Sequence, residues 1–121
     1  MIGYLTIGTN DLARAATFYD PIAKELGAGR VMESDRYIGW GAKGSPALLA
    51  IKPFNGQPAT VGNGDMTALA AKDRAQVDRV HALALSLGGK DEGAPGLRGG
   101  SFYGAYFRDL DGNKLAVFFS G

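Results

Sequence analysis

The stretch Phe107-Arg108-Asp109-Leu110-Asp111-Gly112-Asn113-Lys114-Leu115 carries the strongest structural signal in the chain. Its centre, Asp111-Gly112, favours a tight turn whose twist matches that of two antiparallel strands. Alternating apolar residues lie on both sides of it, over about 101–108 and 114–119. We therefore predict a terminal β-hairpin, in which Asp109 and Asp111 serve turn chemistry rather than acid–base catalysis.

A strand followed by a helix is predicted at the other end of the chain. Residues 2–8 read as a strand, and Thr9-Asn10-Asp11 is a helix start signal. Apolar residues then recur at helical spacing as far as Leu26, and Gly27 is the expected C′ residue. Pro21 lies inside this pattern and is a candidate kink. Three short strands are predicted after the helix, at about 29–34, 36–42 and 47–52.

The same plan repeats in the second half of the chain. A loop over 53–64, rich in Gly, Pro and Asn, precedes a strand predicted at 65–71. Asp73 and Gln76 form a capping-box pattern for a second helix, which ends at Gly88-Gly89. Strands at about 90–95, 101–108 and 114–119 complete the copy. We predict an α+β fold of two βαβββ modules, about 1–55 and 62–121, forming a curled mixed sheet with a cleft; an accidental pattern in another α+β domain is the alternative.

Composition excludes several classes of protein. The 121 residues carry 13 basic and 12 acidic side chains, scattered along the chain, which argues against nucleic-acid binding. The chain has no cysteine, so disulfides, thiolate metal sites and cysteine nucleophiles are excluded. No apolar run is long enough to span a membrane, and no signal peptide is recognisable. We expect a cytoplasmic protein of one domain.

Two motifs resemble those of a known superfamily. The segment Ile7–Leu12 with Ala16-Thr17-Phe18-Tyr19 is similar to the first strand and "DL…FY" helix of the vicinal-oxygen-chelate superfamily, which includes glyoxalases, bleomycin-resistance proteins and extradiol dioxygenases. The stretch 107–115 resembles its "F-x-DPDGN-x-I/L" hairpin, and the match extends over nearly the whole chain. The resemblance implies the two-module fold, a small-molecule cleft and a homodimer with two clefts.

The family's metal ligands are absent from the matching positions. The resemblance implies a divalent cation held by His and Glu, which chelates two substrate oxygens or activates dioxygen. The positions of the family's His residues hold Tyr4 and Met66, and Ala116 stands where the family has Glu. The fourth strand, 47–51, offers no ligand, and Gly99, Gly100 and Ser101 replace a further His. We therefore predict no metal, no other cofactor and no catalytic residue.

A set of apolar and hydroxyl side chains is predicted to line the cleft instead. Alternation along the strands places about half of them on the open face. Such a lining suits a small aromatic or apolar ligand, unless the side chains fill the cleft themselves. The candidates are Tyr4, Thr6, Trp40, Met66, Phe102, Tyr103, Tyr106, Ala116 and Phe118.

Three functions remain open on the sequence alone. The first is a metal-free protein that binds a small molecule. The second is a metal-dependent enzyme with a noncanonical site, resembling lactoylglutathione lyase or a dioxygenase. The third is a structural or regulatory dimer component. The single histidine, His81, is expected to be a packing residue of the second helix, remote from the cleft.

Overall fold

A computed structural model describes all residues, 1–121. None of its helices has the length and apolar character needed to cross a membrane. The elements in chain order are β1 Tyr4–Gly8, α1 Leu12–Glu25, β2 Gly29–Glu33, β3 Tyr37–Gly41, β4 Ala47–Ile51, β5 Thr67–Ala70, α2 Arg74–Ser86, β6 Lys90–Gly99, β7 Phe102–Arg108 and β8 Lys114–Ser120.

The strands form two four-stranded mixed sheets, one from each half of the chain. Their orders are β1-β4-β3-β2 and β5-β8-β7-β6. The first strand of each module along the chain pairs in parallel with the last, β1 with β4 and β5 with β8. The other pairs are antiparallel. The predicted pair of βαβββ modules is thus confirmed, with the predicted sheet divided into two halves whose edge strands are β1 and β2 in one and β5 and β6 in the other.

The helices begin and end at the predicted signals. The Asp11 carboxylate accepts from Arg14 N in α1, and the Asp73 carboxylate accepts from Gln76 N in α2, which satisfies amide groups left free at the helix start. The glycines after the two helix ends, Gly27 and Gly88, have φ angles of 75° and 100°. A residue without Cβ adopts these left-handed angles at little cost. Helix α1 continues through Pro21.

Both helices pack into one shared core. Its 17 buried residues come from both modules, and Phe18 of α1 lies 6.1 Å from Phe107 of β7 between ring centroids. At the C-terminal end of α1, Gln76 donates to the carbonyl of Glu25 over 2.7 Å, and Arg79 bonds the Glu25 carboxylate. The modules are therefore joined through their helix-covered faces.

The β6 strand is longer than predicted. It extends from Lys90 to Gly99, past the expected end at residue 95, and its pairing with β7 shifts register three times. The shifts accommodate Gly93, Pro95 and Gly96, which an interior strand would tolerate poorly. Residues 96–99, which lie beyond the predicted strand, therefore belong to an irregular edge strand.

The turn between β7 and β8, residues 109–113, docks onto the junction of β1 and α1; we call these five residues the docking turn. The buried Asp109 carboxylate accepts from the Tyr19 hydroxyl over 2.6 Å and from the Asn113 side chain over 2.9 Å. Asn113 also donates to Gly8 O. Asp111 accepts from the Thr9 hydroxyl over 2.6 Å. The predicted hairpin thus also fastens module two to module one.

Candidate functional site

Each sheet has one face covered by helices and one open face. On β8, Leu115 and Val117 belong to the shared core, so Ala116 and Phe118 lie on the other side. On β1, Leu5 and Ile7 pack against the core, so Tyr4 and Thr6 point away from it. The two open faces together form the candidate site.

Seven of the nine predicted residues lie on the open faces. Tyr4 and Met66 are 59% and 47% exposed, whereas Ala116 is fully buried among its larger neighbours on the same face. Phe102 and Phe118 are stacked, with ring centroids 5.2 Å apart and planes 8° apart. The seven are Tyr4, Thr6, Met66, Phe102, Tyr106, Ala116 and Phe118.

The structure places the other two, Trp40 and Tyr103, on the helix-covered face. Trp40 is 4% exposed, packs against Tyr19 and donates from Nε1 to Asp20 over 2.8 Å. Tyr103 donates its hydroxyl to Asp78 of α2 over 2.7 Å. Packing on the helix side removes both side chains from the open face, contrary to the expectation from their aromatic character. The bond to Asp78 also raises the pKa of Tyr103.

The open-face residues fall into two groups. Thr6 and Met66 line a polar pocket of about 490 Å³ between β1 and the chain that leads into β5. Asp65 and Lys114 also line it. The stacked pair Phe102 and Phe118 does not contribute to this pocket and lies further along module two. The structure therefore presents a polar pocket beside an aromatic surface.

Two cations that the sequence analysis missed flank Tyr106. The Arg98 guanidinium carbon lies 5.5 Å from the ring centroid, and Lys114 Nζ lies 5.8 Å from it. Contacts of this kind between a cation and an aromatic ring are weakly attractive. Lys114, Ala116 and Phe118 are two residues apart on β8 and share a face, so the sequence pattern could have identified Lys114. Arg98 lies in the irregular part of β6, where the spacing by two no longer indicates the face.

The open face of module two carries an excess of positive charge. Arg108 is paired with Glu92, with 2.6 Å between Nε and Oε1, which leaves Arg98 and Lys114 without a carboxylate partner. The hydrogen bond from Arg108, then its charge and to a smaller extent that of Lys114, lower the pKa of Glu92. The face is thus aromatic and cationic, a combination that favours anionic aromatic molecules.

The residues at the family's metal positions do not fit a metal ion. Thr9 N donates to Ile51 O in module one, and Ala71 N donates to Phe118 O at the equivalent place in module two. This equivalence matches Tyr4 with Met66 and Leu49 with Ala116. Divalent cations prefer carboxylate, carbonyl or imidazole ligands, and of these four side chains only Tyr4 carries an oxygen. No group of three or more His, Cys, Asp or Glu side chains is arranged to hold a metal.

His81 lies away from the open faces. It is 6% exposed, belongs to α2, and its Nε2 lies 3.0 Å from the Asp91 carboxylate. A backbone bond from Gly93, together with that from His81, lowers the pKa of Asp91. The contact ties α2 to the start of β6, in agreement with a packing role.

The chain resembles several solved structures over nearly its full length. A glyoxalase/bleomycin resistance protein from Albidiferax ferrireducens is 34% identical, with a TM-score of 0.93, over 100% of this chain and 99% of that chain. A hypothetical protein from S. aureus is 25% identical, with a TM-score of 0.76, over 98% and 92% of the two chains. A lactoylglutathione lyase from Agrobacterium tumefaciens is 23% identical, with a TM-score of 0.72, over 98% and 92%.

The family assignment rests on nearly the full length of the chain. No protein of curated function matches it. The model of the Glyoxalase/Bleomycin resistance protein/Dioxygenase superfamily matches residues 1–117. Together with the arrangement of the two modules, this match shows that the chain belongs to the glyoxalase, bleomycin resistance protein and dioxygenase superfamily.

Proposed function

We propose that this protein binds a small aromatic or apolar molecule on its open faces and does so without metal catalysis. The observation that carries the proposal is the replacement of the family's metal ligands by Tyr4, Leu49, Met66 and Ala116, beside the stacked rings of Phe102 and Phe118. Stacked rings offer a flat apolar surface to a flat ligand. We also propose that the protein is cytoplasmic, as expected from its sequence.

The charge of the open face narrows the class of ligand. Arg98 and Lys114 flank Tyr106 and have no carboxylate partner of their own. A ligand with a carboxylate or sulfonate beside its aromatic part would gain from both cations, whereas a cationic ligand would be repelled. Cationic antibiotics of the bleomycin type are therefore poor candidates.

We also propose that two copies of the chain pair, as the family resemblance implies. Apolar side chains on and beside the open faces stay exposed in one chain, among them Met32 at 40% and Met66 at 47%. A second copy placed over these faces would cover them and would enclose a ligand more fully. Analytical ultracentrifugation gives the mass directly, and a monomer at micromolar concentration would contradict this part.

The binding proposal is tested with 8-anilino-1-naphthalenesulfonate, an anionic aromatic probe whose fluorescence rises in apolar sites. We expect saturable binding with one probe per site. The Phe118→Ala variant removes one of the stacked rings, and Lys114→Ala removes one cation; each is expected to weaken binding about tenfold, a loss of about 1.4 kcal/mol. Lys43→Ala changes net charge equally at a turn away from the site and serves as the control.

Unsaturable binding of the probe, or equal affinity in all three variants, would contradict the ligand proposal.

The competing hypothesis is a metal-dependent lyase, isomerase or dioxygenase. Elemental analysis of the purified protein, with melting curves in Zn²⁺, Ni²⁺, Mn²⁺, Fe²⁺ and a chelator, separates the two. One ion per chain with a clear rise in melting temperature would favour the enzyme, because a ligand that binds only the folded state stabilises it.

A further inference from the structure

A second pocket lies between the modules, on the side of the helices. We call it the inter-module pocket; its volume is about 430 Å³, within the range of small-molecule sites. Residues 67–70 of β5, an edge strand of its sheet, form one wall; β3, β4 and Leu5 of β1 form a second, and the C-terminal half of α1 forms a third. Ile22 and Trp40, which are 1% and 4% exposed, line its depth.

The lining of this pocket is apolar and uncharged. None of its residues carries a formal charge. The polar atoms of its two largest aromatic residues are already engaged, since the Tyr19 hydroxyl donates to Asp109 and Trp40 Nε1 donates to Asp20. Burying an ion here would cost much more than burying a neutral molecule. The lining therefore selects against charged ligands.

Unpaired backbone groups supply the polar contacts that the side chains lack. Successive residues of a strand turn their N–H and C=O groups to opposite sides. Ala71 N bonds to Phe118 O of β8. The N–H and C=O groups of Ala70 and Ala68 therefore point away from β8, toward the inter-module pocket. Both residues line the pocket. A ligand here can exchange hydrogen bonds with a strand edge while its apolar part meets Leu5 and Leu48.

The inter-module pocket shares only Leu5 and Thr67 with the polar pocket and has no residue of the aromatic surface. Phe102, Tyr106, Lys114 and Phe118 take no part in its lining, and of the nine residues predicted for the cleft only Trp40 does. We propose that this pocket binds a neutral, mainly apolar small molecule with one or a few hydrogen-bonding groups. The site is independent of the ligand proposed for the open faces.

The test uses N-phenyl-1-naphthylamine, which has the ring system of the anionic probe without its sulfonate. Trp40 is the only tryptophan and lines the pocket, so energy transfer from it to the probe reports occupancy. We expect one saturable site per chain. Thr67 shares the helix-covered face with Leu69, so Thr67→Phe should fill the pocket and weaken binding by about tenfold or more, while Thr17→Phe on the exposed side of α1 should not.

Several results would overturn the inference. One is probe affinity that stays the same in Thr67→Phe and in Ala28→Phe, a second variant that fills the pocket from the end of α1. Another is loss of the neutral probe in Phe118→Ala, which would place it on the open face. A change of molecular mass in Thr67→Phe would show that the gap is an interface between copies. If a variant loses binding of the sulfonate probe but still binds the neutral probe, only the open-face proposal is contradicted.

Discussion

The two modules differ in the side chains of two equivalent turns of the same length. Residues 42–46, Ala-Lys-Gly-Ser-Pro, join β3 to β4, and residues 109–113, Asp-Leu-Asp-Gly-Asn, join β7 to β8. Each turn contains a backbone bond at the same place, Ser45 N to Ala42 O and Gly112 N to Asp109 O. Similar backbones thus carry different side chains, and only the second turn docks on the other module.

The contrast extends to the partner of each turn. Asp111 bonds the hydroxyl of Thr9, but the residue equivalent to Thr9 in module two is Ala71, which has no hydroxyl. Residues 42, 45 and 46 line the inter-module pocket instead. The polar side chains of the docking turn bond the two modules directly. The turn over 42–46 has no such bonds and instead lines the inter-module pocket, which extends to α1.

The largest effect is expected from Asp109→Ala. The change leaves the buried Tyr19 hydroxyl and the backbone amides of Asp111 and Asn113 without their acceptor, and removes one of the two acceptors of the Asn113 side chain. We expect a loss of about 3 kcal/mol or more in the free energy of unfolding. Urea denaturation followed by Trp40 fluorescence measures it, with exposed Asp35→Ala as the control. A loss below about 1 kcal/mol would show that the docking turn does not hold the modules together.

A smaller effect is expected from Asp111→Ala, since two of its three partners, Asn10 and Arg14, are exposed. Its carboxylate accepts from Thr9 Oγ1, Asn10 N and Arg14 Nη2. We expect a loss of about 2 kcal/mol. A control change in the turn of the other module, Lys43→Ala, should alter stability by no more than about 0.5 kcal/mol. Equal losses in the two turns would remove the distinction between them.

The pH dependence of stability tests the buried end of the docking turn. Burial, followed by the charge of Asp109, raises the pKa of Tyr19 well above the usual value for a phenol. A raised folded-state pKa gives stability that is complete below the unfolded-state pKa, near 10, and is lost as pH rises above it. Tyr19→Phe should cost about 1–2 kcal/mol at neutral pH and reduce the loss of stability between pH 9 and pH 11. An unchanged alkaline slope would contradict this account.

The smallest effect is expected from Arg14→Ala. Its guanidinium bonds Asp111 over 2.8 Å, but the Arg14 side chain is 45% exposed. Exposed ion pairs contribute about 0–1 kcal/mol because water and salt screen them. The loss should shrink in 1 M NaCl, which thermal melts at two salt concentrations can detect. A loss as large as that of Asp111→Ala would transfer the main role in docking from Thr9 to Arg14.

Local signals were sufficient to predict the helices and the terminal hairpin. Asp11, Asp73, Gly27 and Gly88 act on groups a few residues away, so their meaning can be read without the tertiary structure. The start of β6 was predicted, but its continuation to Gly99 was not, because its glycines and Pro95 match a loop as well as an edge strand. Its register depends on β7, which is a nonlocal partner.

The candidate site was harder to predict because each strand has two faces. On β7 both faces carry aromatic residues, Phe102 and Tyr106 on one and Tyr103 and Phe107 on the other. Alternation separates the two sets but does not say which one a helix will cover. The face of Trp40 was predicted wrongly for the same reason. Its neighbours Gly39 and Gly41 have no side chains, so they do not indicate which face of β3 is apolar. The face is decided by helix packing.

The docking turn has a further consequence for the order of folding. It joins Thr9 to Asp111, which are 102 residues apart in the chain. A contact across so long a loop is entropically costly to close and forms late, once most of the chain has condensed. The start of α1 therefore acquires its full protection from hydrogen exchange only after the final hairpin is in place, and a nascent chain that stops before β8 should exchange freely there.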